Sequence, residues 1–184
     1  MRKTDLSRYN NSWYSPKAGP IKRLLWIWIN ALFIKSHIFF SSGIKVFFLK
    51  LFGAKIGKGV NIKPGVSVKY PWLLEVGNYV WIGEDVWIDN LTETRIGDNA
   101  CISQGALLLT GNHNFKKEEF DLIVGGIVLE EGVWIGAKAT VCPGVVCASH
   151  SILTVGSVAT KNLEAYSVYQ GNPAIKIRER VMAY

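Results

Sequence analysis

At 184 residues the chain is long enough to bury a continuous core and too short for two large domains. Its three cysteines, Cys101, Cys142 and Cys147, have no CxxC or metal-ligand spacing, and the odd count argues against a disulfide framework, so a reducing cytoplasm is the expected compartment. The net charge of +7 is unevenly divided: residues 1–63 hold twelve Lys or Arg against one acid, Asp5, a local +11, while residues 64–184 carry −4. No nucleic-acid-binding motif accompanies the basic end, and neither usual glycine-rich nucleotide loop is present, so a nucleic-acid partner is not expected.

Residues 1–54 read as a basic, apolar helical segment. Apolar runs at 24–34, 38–40 and 46–52 are interleaved with Lys22, Arg23, Lys35, Lys45 and Lys50. None reaches the roughly eighteen residues that a membrane span requires. The first twenty residues are polar and no small-residue cleavage site follows, which argues against a signal peptide. Two readings stand side by side. In one, two helices pack their apolar faces on the end of the repetitive region that follows or on a neighbouring subunit, and in the other a basic amphipathic surface makes a peripheral contact with anionic lipid at the inner face of the membrane.

From Ile56 onward an aliphatic or small residue recurs every six positions, at 56, 62 and 68, then 76, 82 and 88, then 96, 102 and 108, and finally at 129, 135, 141, 147, 153 and 159. Glycine follows the anchor in Ile56-Gly57, Val76-Gly77, Ile82-Gly83, Ile96-Gly97 and Ile135-Gly136, and a small or branched residue stands four places on. Each hexad predicts one short strand and a corner, so residues 55–163 are expected to form a parallel β-helix of about five triangular coils. Cys147 occupies an anchor position and reads as a small core residue.

The phase slips by eight rather than six between Val68 and Val76 and again between Ile88 and Ile96, and by twenty-one between Leu108 and Leu129. All three insertions fall at the same corner in consecutive coils. With coils about 4.8 Å apart, one edge should carry a stack of loops, of which the excursion 110–128 is the longest, and such an edge is where a site is expected. Residues 164–184 read as a C-terminal tail.

The hexads, the excursion Thr110-Gly111-Asn112-His113-Asn114-Phe115, the run Gly132-Val133-Trp134-Ile135-Gly136 and the closing Val155-Gly156-Ser157-Val158-Ala159-Thr160-Lys161 resemble the left-handed β-helix, or hexapeptide-repeat, acyltransferases. Within these, Lys69-Tyr70-Pro71-Trp72, Trp87-Ile88-Asp89-Asn90-Leu91 and Gly171-Asn172-Pro173-Ala174 are most similar to the colanic acid biosynthesis acetyltransferases. The resemblance implies a left-handed β-helix, a homotrimer, acetyl-CoA as co-substrate and O-acetylation of a saccharide acceptor in exopolysaccharide biosynthesis. N-acetylation of an amino sugar and a non-catalytic scaffold remain as alternatives.

Acyl transfer from a thioester to a hydroxyl needs a base to take the hydroxyl proton, and histidine is suited to that work near neutral pH. His113, at the start of the excursion, is the expected general base. His37 and His150 read as structural or solvated, and three histidines so placed assemble no zinc triad, so no metal is expected. Hexad phase makes Asn90 equivalent to Thr110, one coil beneath the excursion. Its amide either orients a reactant, as the resemblance implies, or holds a turn, and Asp89 beside it is a candidate to bind acceptor hydroxyls or to assist the histidine. The resemblance further implies that backbone groups at Ala137 and Val155 line the pantetheine slot, that Thr160 and Lys161 meet the nucleotide end, and that Arg178 reaches the phosphates. Trp134 is a candidate to flank the His113 groove. One position departs from the family pattern: Ile175 stands where several relatives carry arginine, with Lys176 adjacent.

Overall fold

The computed structural model describes residues 3–183. Its centre is a left-handed parallel β-helix with three flat faces made of strands two or three residues long. Face A stacks Lys55–Ile56, Leu74–Val76, Thr94–Ile96, Ile127–Leu129 and Val146–Cys147. Face B stacks Asn61–Ile62, Trp81–Ile82, Cys101–Ile102, Trp134–Ile135 and Ile152–Leu153, and face C stacks Ser67–Val68, Trp87–Asp89, Leu107–Leu109, Thr140–Val141 and Val158–Ala159.

All fifteen hexad anchors point inward, and none is more than 8% exposed. Because side chains alternate along a strand, the residue before each anchor points out. Trp81, Trp87 and Trp134 therefore stand on the outer surface rather than in the packing roles usual for strand tryptophans. The Ile-Gly pairs have a steric cause. At Gly136 the backbone N of Val155 in the next coil passes 2.6 Å from where a Cβ would stand, so only glycine lets the coils stack at strand spacing.

The coil continues beyond the hexads. Ser167–Gly171 pairs with Ile152–Leu153 on face B, Leu163 bridges to Cys147 on face A, and Ala174–Glu179 returns antiparallel along Ser167–Gly171. The segment read as a tail thus starts a sixth turn, with Val168 and Tyr169 buried over the end of the core.

Two helices, α1 (Pro20–Ile29) and α2 (Ser42–Leu51), close the other end. The first coil has no coil beneath it, so its downward N–H and C=O groups need other partners. Side chains supply them. Asn30 Oδ1 accepts from Val68 N at 3.2 Å, Trp26 Nε1 donates to Val68 O at 2.9 Å, and Ser42 Oγ accepts from Ile62 N at 3.0 Å while donating to Ile62 O at 3.2 Å. The ammonium of buried Lys45 donates to Lys63 O at 2.8 Å, and burial holds it below lysine's ordinary pKa.

Candidate active site

The three phase slips share the corner between faces C and A, and the longest of them is a hairpin. Gly111–His113 pairs antiparallel with Leu122–Val124, opposing Asn112 to Ile123 and His113 to Leu122. At its base Gly111 packs closely over the coil below, where a Cβ would displace the end of the Leu91 side chain.

Corner residues one coil apart hold one another. The buried Thr110 hydroxyl donates to Asp89 O at 3.0 Å and accepts from Leu91 N at 2.8 Å, which pins the preceding corner under the hairpin. Asn90, in register with Thr110, does the same one coil lower: Oδ1 accepts from Tyr70 N at 2.9 Å and Nδ2 donates to Tyr70 O at 2.7 Å. Asn90 is fully buried and both ends of its amide serve this turn, so of its two sequence readings the geometry supports the structural one.

His113 is fixed from three sides. Its Nδ1 lies 2.9 Å from the Phe120 carbonyl, its ring stacks on the Phe120 ring at 4.5 Å and 10°, and its backbone N donates to Asn112 Oδ1 at 2.8 Å. A carbonyl can only accept, so Nδ1 carries a proton, and of the two neutral tautomers this contact selects the one with its lone pair on Nε2. Phe120 has φ of 53°, a left-handed backbone rare for a bulky residue. Sequence reasoning passed over Phe120, although Leu122-Ile123-Val124 after a charged turn is a strand signal that could have marked the hairpin.

The N-terminal arm, residues 3–18, runs down the same corner, which the sequence did not foretell. Asp5 N donates to Glu118 O at 2.8 Å, and Arg8 pairs with Glu118 at 3.3 Å and Glu119 at 2.6 Å. The Tyr9 ring lies 5.9 Å from the His113 ring. Further down, the Tyr14 hydroxyl donates to Leu91 O at 2.8 Å, Trp72 Nε1 donates to Pro16 O at 2.6 Å, and Lys17 pairs with Glu93 at 3.5 Å. Burial, with Tyr70 and Asp89 nearby, raises the Tyr14 hydroxyl above the usual tyrosine range.

Below the hairpin a cleft of 430 Å³ opens between α1 and face C, lined by Arg23, Trp26, Lys69, Tyr70, Trp87 and Asp89 among others. Asp89 is mostly buried, with Lys69 Nζ 2.9 Å from its Oδ1. A larger cavity, 620 Å³, lies between the arm and residues 115–119 of the hairpin tip, and His113 does not line it.

The remaining candidates are spread over the coil. Ala137 and Val155 occupy the corner between faces B and C in consecutive coils, joined by Gly156 N donating to Ala137 O at 2.9 Å. Thr160 and Lys161 are exposed at the C–A corner, two coils above the hairpin. Trp134, held by its Nε1 donating to Ser103 Oγ at 2.9 Å, is on face B, opposite that corner. Arg178 is exposed on the antiparallel strand at the end of face B. Within one subunit these groups do not converge on His113. Lys176 is paired with Glu164 at 2.8 Å and Glu179 at 2.6 Å, which raises its pKa.

The other reactive groups lie apart from this corner. His37 pairs with Asp85 at 3.3 Å and His150 packs on the Tyr166 ring. Cys147 is buried among the anchors, its thiol pushed up to about 12 by burial. Among the described residues no group of three or more His, Cys, Asp or Glu side chains is placed to hold a metal ion.

No family model matches the sequence. Individual relatives do. The chain is 42% identical over 137 residues to "Putative colanic acid biosynthesis acetyltransferase WcaF" of Escherichia coli, covering 74% of this chain and 75% of that protein. It is 29% identical over 129 residues to the galactoside O-acetyltransferase of Escherichia coli, covering 68% and 64%. The fold matches a hexapeptide-repeat-containing acetyltransferase of Vibrio cholerae, solved with acetyl coenzyme A, at a TM-score of 0.79 and 17% identity over 88% of each chain. The sequence similarity along most of both chains, on a β-helix whose hexads are all accounted for, establishes that this chain belongs to the hexapeptide-repeat acetyltransferase family.

Proposed function

We propose that the protein transfers the acetyl group of acetyl-CoA to a hydroxyl of a saccharide in exopolysaccharide biosynthesis, with His113 as general base. The observation that carries this reading is the fixed tautomer of His113, whose Nδ1–H is held by the Phe120 carbonyl so that the basic Nε2 is free to face a substrate. As the acceptor oxygen bonds to the thioester carbonyl carbon, its proton passes to Nε2. The tetrahedral oxyanion is met by peptide N–H groups, and the carbon–sulfur bond then breaks, the leaving sulfur taking the proton back from the imidazolium. A thioester is already activated, so no covalent enzyme intermediate is needed.

A homotrimer completes the site. Ala137 and Val155 would line the pantetheine slot with their backbone, Thr160 and Lys161 would meet the nucleotide end, Arg178 would pair with phosphate, and Trp134 of an adjacent copy would wall the groove. Asp89 with Lys69 would bind acceptor hydroxyls one coil below the hairpin, and Asn90 would hold the corner in place. The names of relatives support the donor and the acceptor class: one is a galactoside O-acetyltransferase and a structural neighbour is complexed with acetyl coenzyme A.

Calorimetric titration with acetyl-CoA tests the donor half without knowledge of the acceptor. Micromolar binding is expected, weakened about tenfold or more in Lys161→Ala through loss of a charge-assisted phosphate contact. A folded protein that binds no acetyl-CoA would overturn the transferase reading and favour a scaffold.

A further inference from the structure

The two N-terminal helices use only their inner sides to cap the first coil. Trp26, Ile34 and Leu49 are buried there, with the Lys45 ammonium bonded to the coil edge. The side turned away carries a second apolar face. On α1, Ile21, Leu24, Leu25 and Trp28 are each more than half exposed, and helical spacing gathers them on one stripe without a polar residue. In the connection between the helices Ile38 and Phe40 are each 80% exposed. On α2, Ile44, Phe47 and Leu51 recur at three and four residues and also face outward. Twelve large apolar side chains are exposed between residues 21 and 51, a concentration that isolated surface hydrophobics do not explain.

We propose that this face docks the protein on a bilayer containing anionic phospholipid. Charge complementarity selects that occupant. Lys22 flanks the α1 stripe with its ammonium over the Trp72 ring, exposed Lys35 follows the turn after α1 and exposed Lys50 flanks the α2 stripe, inside a segment whose only acid is Asp5. A second copy of the chain docking face to face would bring these cations against their own equivalents, whereas an anionic headgroup layer neutralises them. The geometry is that of a helix pair lying on a membrane. At 10 residues each, α1 and α2 are about 15 Å long against a hydrocarbon core of ~30 Å, and among the described residues no helix is long and apolar enough to cross it. Seated this way, Ile21, Trp28 and Phe40 enter the interface, the lysine stems extend to the headgroups, and the β-helix stands off the surface with its first coil lowest. This docking does not depend on the chemistry assigned to His113.

Flotation of the full chain with vesicles tests it, using phosphatidylcholine with and without phosphatidylglycerol. The protein is expected to float with the anionic vesicles and to bind them more weakly at about 1 M salt, where the Debye length is ~3 Å. Trp28→Glu with Phe40→Glu should abolish flotation. Lys35→Gln with Lys50→Gln leaves the apolar face intact and should weaken it about 25-fold, roughly fivefold for each charge removed near the surface. Sedimentation of each variant reports subunit number. Absence of flotation on anionic vesicles, equal binding to neutral and anionic vesicles, or a change in subunit number on Trp28→Glu would each overturn the proposal, the last by identifying the face as a subunit interface. Acetyl-CoA titration of the same samples keeps this outcome separate from any failure of the transferase reading.

Discussion

The coil and the N-terminal helices are both rich in apolar residues, and they dispose of them in opposite ways. In the β-helix every sixth residue turns inward and is buried by the coils above and below, so apolar content becomes core. In residues 20–51 the inward positions Trp26, Ile34 and Leu49 are buried equally well, yet Trp28, Phe40 and Phe47 remain outside. Composition alone does not separate the two regions. What separates them is whether a second layer exists to receive each face, and for the helices the β-helix supplies it on one side only.

The His113 hairpin belongs with the helices as something hung on the coil, and substitutions there should divide chemistry from stability. His113→Ala is expected to lower turnover at least about a hundredfold while leaving acetyl-CoA affinity and melting temperature nearly unchanged. A variant with normal turnover in a thiol-release assay would remove His113 from the mechanism. Five residues earlier, Leu108 is a fully buried anchor, and Leu108→Ala should cost about 3 kcal/mol through the cavity it leaves. Leu24→Ala on the exposed stripe, by contrast, should stay within ~0.5 kcal/mol. Denaturant unfolding of the pair measures the contrast directly, and equal losses would mean that the stripe is buried in solution.

Asn90→Ala sharpens the boundary between holding a corner and doing chemistry. It removes both bonds to Tyr70 and should cost about 2 kcal/mol, with acceptor KM rising more than kcat falls. A large fall in kcat at unchanged stability would restore Asn90 to the reacting centre. A smaller effect is expected at Asp98, another cross-coil clamp, where the Asn78 backbone N–H at 2.7 Å and then its side-chain amide at 3.1 Å hold the carboxyl below its ordinary value. A depressed carboxylate contributes stability above the unfolded pKa of about 3.9 and loses it as pH falls through the folded value. Asp98→Ala should therefore melt a few degrees lower at neutral pH, and the difference should close in thermal melts taken below that range.

The corner that carries His113 was legible because the hexads act as a ruler. Phase alone put Asn90 beneath Thr110 and gathered three insertions at one corner, and the register of Trp87–Asp89 with Leu107–Leu109 realises that placement. It could not show that the Asn90 amide is taken up by the Tyr70 backbone, since phase specifies position along the coil and not what a side chain meets. The arm was illegible for a related reason. Residues 3–18 have no periodicity, and their placement depends on Arg8 meeting Glu118 and Glu119, and Tyr14 meeting Leu91, across sequence separations that no local pattern records.

The sequence by itself determined the triangular coil, its corner of insertions and its buried anchors, because a period of six is enforced by contacts between neighbouring coils that repeat with the same spacing. The tertiary structure alone decided the His113 tautomer, the course of the arm and the capping of the first coil by Asn30, Ser42 and Lys45. Each of these arises where the repeat stops and unpaired groups take whichever partner the folded chain brings within hydrogen-bonding distance.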